Sequence, residues 1–290
     1  MKDQAHAIEP VQDRRQRTMP TMPGLVRLIH PAPTVAVVTL SAALGAILSA
    51  QAGGTVGWRL LLTTLAVLGS QILTGALNDW ADRDRDRLAQ PSKPIAARTV
   101  TPRAALAVAS FGLVLQVAAS IPLGWPALML GLAAAASAAA YNLWLARTPF
   151  SVVPYLVSFG LLPLWVAAGV GVPLERVAAT PLLVGPFAAA AHLANTLRDF
   201  DADAKVGSHN LVQTMGRRTA FALAWSMAMA VGLGVGISYV LGGDAGAPST
   251  LLGIAGLLAV GQGMAGPHRL WIGMLVAAVC WTAAWALGTA

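Results

Sequence analysis

Residues 104–146 read AALAVASFGLVLQVAASIPLGWPALMLGLAAAASAAAYNLWLA, a run without a charged side chain. A membrane-spanning helix needs about 20 mostly apolar residues, so this run is long enough for two. Pro122, Gly124 and Pro126 stand near its middle, where they favour a turn. The run therefore predicts two consecutive membrane-spanning helices.

The rest of the chain has the same character: 56% of its 290 residues are hydrophobic and 11% are charged. Soluble domains carry about 25% charged residues. We therefore predict an all-α, multi-pass membrane protein of about nine transmembrane helices around a central cavity. Residues 1–24 are predicted to form a flexible cytoplasmic tail, and residues 25–290 a single membrane-embedded domain. The predicted spans are 33–50, 60–77, 104–121, 127–144, 151–170, 177–195, 219–241, 251–264 and 270–288.

Basic residues are distributed unevenly between the connections. Of the 19 Lys and Arg residues, only Arg59 and Arg176 fall in odd-numbered connections between predicted spans. Because basic connections stay in the cytoplasm, we predict a cytoplasmic N terminus and a bacterial plasma-membrane location. The connections after the second and sixth spans then share the cytoplasmic face. This bias and anionic lipid headgroups explain the net charge of +7, so we expect a lipid bilayer and no nucleic acid as partner.

Those two connections repeat one pattern, in which an amide is followed by two carboxylates at steps of four. The copies are Asn78-x3-Asp82-x3-Asp86, which also contains Asp79, and Asn195-x3-Asp199-x3-Asp203. Steps of four place the three side chains on one face of a helix. The pattern predicts two acidic helix faces on the same side of the membrane.

A single charge run is usually a solvated surface, and we interpret Asp84 with Arg83, Arg85 and Arg87 in that way. Two copies with equal spacing are better explained by a shared cationic ligand. Mg2+ prefers oxygen ligands and binds through a few carboxylates together with substrate phosphates. The acids therefore predict Mg2+ ions that bridge to a diphosphate and neutralise its charge as it departs.

Basic and aromatic residues near the two patterns are further candidates. Lys93, Arg147, Arg198 and Lys205 can contact the outer diphosphate oxygens, or they can anchor the inner membrane boundary. A diphosphate beside a membrane cavity indicates an isoprenoid ligand whose apolar tail lies among the helices. Tyr141 can stabilise an allylic carbocation through its ring face, or it can be an interfacial belt residue.

With these motifs the chain resembles the UbiA-type intramembrane prenyltransferases over nearly its whole length. Four segments carry the resemblance: Asn78-Asp79-x2-Asp82-x3-Asp86 with Lys93-Pro94-Ile95; Asn195-x2-Arg198-Asp199-x3-Asp203-x3-Gly207; Leu25-Val26-Arg27-x2-His30-Pro31; and Tyr141-Asn142-x4-Arg147. The resemblance implies Mg2+-dependent transfer of a prenyl group from a prenyl diphosphate to a lipophilic acceptor, for which an aromatic compound is expected. Diphosphate is released.

The resemblance also implies roles for individual residues. The implied metal ligands are Asp79, Asp82, Asp86, Asp199 and Asp203, which with Tyr141 are the predicted catalytic residues. The implied cofactor- and diphosphate-binding residues are Asn78, Asn195, Arg27, Lys93, Arg147, Arg198 and Lys205. The chain departs from the family pattern at Lys93, where Arg is commoner, and at Ser208-His209, where a Lys normally follows Gly207.

Several alternatives stay open at this point. His192 is either a packing residue or a base, and His30 and Arg27 either touch the diphosphate or anchor the first span. An intramembrane terpene cyclase would use the same metal site, but the cation would react with its own alkene. An ion-coupled transporter ranks lower, because it predicts acids in mid-span, whereas every Asp and Glu here falls in the tail or a connection. Acceptor identity, prenyl chain length and oligomeric state do not follow from the sequence.

Overall fold

A computed structural model of the chain describes residues 22–54, 57–242 and 246–288. These residues form α-helices joined by short 3-10 turns. The helices are α1 (Met22–Leu28), α2 (Pro31–Gln51), α3 (Trp58–Ala81), α4 (Arg83–Ala89), α5 (Pro102–Ser120), α6 (Trp125–Leu143), α7 (Val153–Val170), α8 (Pro181–Arg198), α9 (Phe200–Lys205), α10 (Leu211–Met215), α11 (Arg217–Gly242), α12 (Ala247–Gly261) and α13 (Pro267–Gly288).

The prediction of an all-α multi-pass membrane protein is confirmed. Within the described ranges, eight helices are long and apolar enough to cross a membrane. The remaining predicted span is α8, a helix of 18 residues whose last two turns contain His192, Asn195 and Arg198. These polar residues make α8 less apolar than the other long helices. Residues 1–21 of the predicted tail lie outside the described residues, and residues 22–24 begin α1.

The long helices close into a ring. Helix α2 packs against α3, α3 against α6, α6 against α7, α7 against α8, and α13 against both α8 and α2. Helix α5 lies against α3, while α11 and α12 lie against α8 and α13. This ring is the architecture that helices around a central cavity require.

Small residues allow the helices to approach closely. A Cβ atom built on Gly69 of α3 would lie 2.6 Å from the carbonyl oxygen of Gly112 in α5. Close backbone contact of this kind is typical of helices packed within membranes. Large apolar side chains such as Leu61 and Leu182 are exposed instead, as expected for lipid-facing positions.

Each acidic motif is built as two helices that meet at the central aspartate. Helix α3 ends before Asp82, whose φ of −92° and ψ of 2° break the helix before α4 begins. Asp199 separates α8 from α9 in the same way, with φ −97° and ψ 10°. Each motif is therefore carried by two consecutive helices rather than by one. In the first motif Asp79 and Asp86 still face the same side, because Lys93 contacts both.

Candidate functional site

The structure brings the two acidic motifs together. Arg85 of α4 forms an ion pair with Asp203 of α9. A nitrogen of the same guanidinium lies 4.0 Å from an Asp82 oxygen. Carboxylates of both motifs are thus within reach of one side chain, so a single ligand of similar size can contact both.

Arg85 corrects the interpretation of residues 83–87 as a solvated surface. Its side chain is 22% exposed, and its buried Nε has no hydrogen-bond partner among the described residues. Asp84 does match the interpretation, because it is 71% exposed and pairs with Arg83 and Arg87. In the sequence Arg83, Arg85 and Arg87 stand in the same alternation with Asp, and the structure shows that Arg85 is the one that lies on acids of both motifs.

Lys93 neutralises the buried acids of the first motif. Its Nζ lies 2.9 Å from Asp86 Oδ2 and 3.3 Å from Asp79 Oδ1, and it donates a hydrogen bond to Asn78 Oδ1. His30, which precedes α2, places Nε2 3.1 Å from the same Asp79 oxygen. His30 of the opening segment and Lys93 of the Lys-Pro-Ile segment therefore both reach the first motif.

The segment after α6 completes this part of the site. Arg147 donates a hydrogen bond of 2.8 Å to Asp82 Oδ1. Asn142 accepts a hydrogen bond from Asn78 and donates one to the Thr74 carbonyl, which fixes the amide of the first motif. The Tyr-Asn element thus contacts the acidic motif directly.

The second motif is more open. Asp199 and Asn195 are exposed, and Asp199 forms no ion pair with any residue that the structure describes. Asp203 is buried and accepts a 2.8 Å hydrogen bond from Asn210. Sequence reasoning missed Asn210, although its position before α10 is typical of a helix cap.

The three other predicted contacts lie around the acids. Arg27 donates a hydrogen bond to the Ser92 carbonyl and thereby attaches α1 to the loop that carries Lys93. Arg198 donates to Asn195 Oδ1 and lies over the Trp271 ring. Arg198 and Lys205 line a cleft of about 490 Å³ between α4 and α9; its other lining residues are Leu88, Ala89, Asp201, Ala202 and Val206.

The charge balance of the site favours an additional cation. Burial raises the pKa of the Asp86 carboxyl, although the nearby Lys93 opposes this effect. Burial also raises the pKa of Asp203 against the influence of Arg85. Burial alone would lower the pKa of Lys93, but the charges of Asp79 and Asp86 raise it overall. Crowded carboxylates of this kind are stabilised by any further positive charge.

The donor atoms fit Mg2+ that is shared with a ligand. They are carboxylate and amide oxygens, and Asp79 Oδ2 is buried without a hydrogen-bond partner in the described part of the chain. Among the described residues, no three His, Cys, Asp or Glu side chains converge closely enough to hold a metal ion by themselves. Mg2+ bound through one or two carboxylates together with substrate phosphates needs no such protein cage.

An aromatic cluster adjoins the acids. His192 stacks on Tyr155 with ring centroids 4.1 Å apart, and Tyr155 stacks on Phe159. Tyr141 meets Tyr155 and His192 edge-on, and the next residue, Asn142, accepts a hydrogen bond from Asn78 of the first motif. His192 is thus packed among aromatic rings, and its buried Nε2 has no hydrogen-bond partner among the described residues.

Membrane-spanning helices with two acidic helix ends at one site define a multi-pass membrane protein with a candidate site for a cation and an anionic ligand. The model of the UbiA prenyltransferase family matches residues 37–289. The chain belongs to this family and is a membrane-embedded prenyltransferase.

Known relatives agree with this assignment. A digeranylgeranylglyceryl phosphate synthase of Natronomonas pharaonis is 28% identical over 225 residues, which are 76% of this chain and 78% of the relative. The apo structure of a UbiA homolog from Aeropyrum pernix K1 has a TM-score of 0.71 at 22% identity, covering 86% of this chain and 96% of the homolog. A UbiA homolog from Archaeoglobus fulgidus bound to DMAPP and Mg2+ also has a TM-score of 0.71, at 16% identity, covering 91% and 99%. Both structures share the fold of this chain.

Proposed function

We propose that the protein transfers a prenyl group from a prenyl diphosphate to a lipophilic, aromatic acceptor, with Mg2+ as cofactor. The observation that carries this proposal is the position of Arg85 between Asp82 and Asp203. It indicates that carboxylates of both motifs lie within reach of one diphosphate. The relative bound to DMAPP and Mg2+ supports the same substrate class and cofactor.

The acids and amides of the two motifs bind the head group. The proposed Mg2+ ligands are Asp79, Asp82, Asp86, Asp199 and Asp203, with Asn78 and Asn195 as orienting or ligating amides. When bound there, Mg2+ supplies positive charge that stabilises the departing diphosphate. The hydrogen bonds from Asn78 to Asn142 and from Lys93 to Asn78 hold the first amide in place before substrate arrives.

Basic side chains surround this head-group site. Lys93 and Arg147 already lie on motif carboxylates, so each is placed to donate to outer diphosphate oxygens. Arg198 and Lys205 approach from the adjoining cleft, and Arg27 supports the loop of Lys93. We assign the first four to diphosphate binding and Arg27 to positioning that loop.

The aromatic cluster is suited to the reactive intermediate. The bond between carbon C1 of the prenyl group and the diphosphate oxygen breaks, and its electron pair leaves with the diphosphate. The resulting allylic cation is attracted by ring faces such as those of Tyr141 and Tyr155. A nucleophilic atom of the acceptor then forms a bond to C1 and loses a proton. The parallel rings of Tyr155, Phe159 and His192 favour a flat, aromatic acceptor.

The charge distribution supports a bacterial plasma-membrane location with the site facing the cytoplasm. Arg59, at the start of α3, donates hydrogen bonds to the carbonyls of Leu123 and Gly169, at the membrane ends remote from the motifs. Arg176 lies on the same side as Arg59, and the other basic residues of the described ranges flank the motif-bearing ends. Labelling of single cysteines tests this orientation: Arg87→Cys should react only from the cytoplasm and Arg176→Cys only from outside, and the reverse pattern would contradict it.

Product analysis tests the reaction. The purified protein is incubated with Mg2+ and radiolabelled prenyl diphosphates, with and without aromatic acceptors such as hydroxybenzoates. A prenylated acceptor is expected. Prenylation of a non-aromatic lipid alone would contradict the acceptor class. A cyclised hydrocarbon formed from the prenyl diphosphate alone would identify the cyclase instead.

A further inference from the structure

Arg85 is the residue through which the two acidic motifs touch each other. Its guanidinium pairs with Asp203 and lies 4.0 Å from Asp82, although 118 residues separate Arg85 from Asp203 in the chain. The three side chains are largely shielded from solvent, with 22%, 9% and 13% of their surfaces exposed. Shielding strengthens the attraction between such charges.

The same two carboxylates are proposed Mg2+ ligands. The guanidinium of Arg85 faces Oδ1 of both Asp82 and Asp203, so a metal ion that binds these two atoms competes with it. The energy of the ion pair therefore opposes metal binding. Arg85 is long enough to rotate away, and its unpartnered Nε does not fasten it elsewhere among the described residues.

We propose that Arg85 is an internal cation that occupies the metal position in the empty enzyme. It holds α4 against α9 until Mg2+ and diphosphate enter, and it then leaves both carboxylates. This inference rests on the proposed function and makes Arg85 a positioning residue. If Arg85 were only a structural contact, its removal would weaken metal binding or leave it unchanged. An internal cation predicts the opposite, namely that removal of Arg85 strengthens metal binding.

Arg87 provides the matched control. It lies on the same short helix, but its side chain is 65% exposed and pairs with the solvated Asp84 at 3.7 Å. Replacing Arg87 with Gln removes the same charge from the same helix without changing the contacts between the motifs. Arg85→Lys is a second variant, which keeps the charge but loses the fork that reaches two carboxylates.

Metal affinity is measured by thermal unfolding of the purified wild-type, Arg85→Gln, Arg85→Lys and Arg87→Gln proteins. Mg2+ is titrated at a fixed concentration of inorganic diphosphate. We expect Arg85→Gln to unfold at a lower temperature without metal and to need about tenfold less Mg2+ for half of the stabilisation, equivalent to ~1.4 kcal/mol. Arg85→Lys should shift in the same direction by less, and Arg87→Gln should match the wild type.

The distance between α4 and α9 is measured with spin labels at Leu88→Cys and Ala202→Cys in a Cys280→Ala background. Both positions line the cleft between the two helices. Without metal, the distance should be short and narrowly distributed in the wild type and Arg87→Gln, and longer or broader in Arg85→Gln. In the presence of Mg2+ and diphosphate, the wild type, Arg87→Gln and Arg85→Gln should have the same distance distribution.

The outcomes separate this inference from the proposed function. Equal Mg2+ dependence, or weaker Mg2+ binding, in both Arg85 variants would overturn the role of Arg85 while the proposed function stands. Equal distance distributions without metal would overturn it as well. A wild-type protein that does not respond to Mg2+ and diphosphate would overturn the proposed function and, with it, the inference.

Discussion

The two acidic motifs have the same spacing in the sequence but different surroundings in the structure. The acids of the first motif have partners from three other segments: His30 and Lys93 lie on Asp79, and Arg147 lies on Asp82. Among the described residues, Arg85 is the cation that pairs with an acid of the second pattern, and it comes from the first motif. Asp199 remains exposed and free of ion pairs within the described ranges.

This difference shows that equal spacing does not imply equal electrostatics. The first motif is held in place before any ligand binds, because its buried acids are neutralised by fixed side chains. The second motif depends on a ligand or on Arg85 for its positive charge. We expect the first motif to contribute more to the stability of the empty protein, and both motifs to be needed for turnover.

The largest effect is expected for the central acids. Asp82→Ala and Asp199→Ala should each lower turnover at least about 100-fold, as expected when a main electrostatic contact to a departing group is lost. Both variants should remain folded and inserted in the membrane. Turnover is measured with purified protein, and Asp84→Ala and Asp201→Asn, which change exposed acids beside each motif, should keep wild-type activity. Full activity of Asp199→Ala would contradict the role of Asp199 as a metal ligand.

Metal removal should have a comparable effect on activity. Chelation with EDTA should abolish product formation, and added Mg2+ should restore it, because the second motif otherwise lacks sufficient positive charge for a diphosphate. Product formation is followed with radiolabelled prenyl diphosphate. Full activity in the chelated enzyme would contradict the metal site in both motifs.

Stability should distinguish the two motifs. Lys93→Gln leaves Asp79 and Asp86 without their shared cation, and breaking such a buried pair costs about 3 kcal/mol of unfolding free energy. Asn210→Ala removes a hydrogen bond from Asp203 together with the cap of α10 and should cost about 2 kcal/mol. Denaturation of both variants in detergent without Mg2+ measures the difference. A larger loss of unfolding free energy for Asn210→Ala than for Lys93→Gln would contradict the expectation that the first motif contributes more to stability.

The smallest effect is expected for substitution of His192, which lies about one turn before the second motif. His192→Phe keeps the ring that stacks on Tyr155, so turnover should change by less than about tenfold and the free energy of unfolding by less than about 1.5 kcal/mol. Steady-state kinetics and thermal unfolding measure both. A loss of turnover of about 100-fold or more with unchanged stability would identify His192 as a base rather than a packing residue.

Much of the site could be predicted because its signals are local. The steps of four in each motif and the position of Lys93 in its loop are read within short windows, and the structure places these residues together. Arg85 and Asn210 could not be predicted in the same way. Arg85 belongs to an alternating charge run that is typical of solvated surfaces, and Asn210 follows an irregular loop.

The sequence by itself determined that this chain crosses a membrane many times and carries paired acids on one side, because apolar length, charge bias and motif spacing are properties of neighbouring residues. Only the tertiary structure decided which cation lies on which acid. Helix packing brings Arg85 of α4 to Asp203 of α9, although 118 residues separate them in the chain. Ion pairs depend on distances in space, and those distances are set by helix packing across the whole chain.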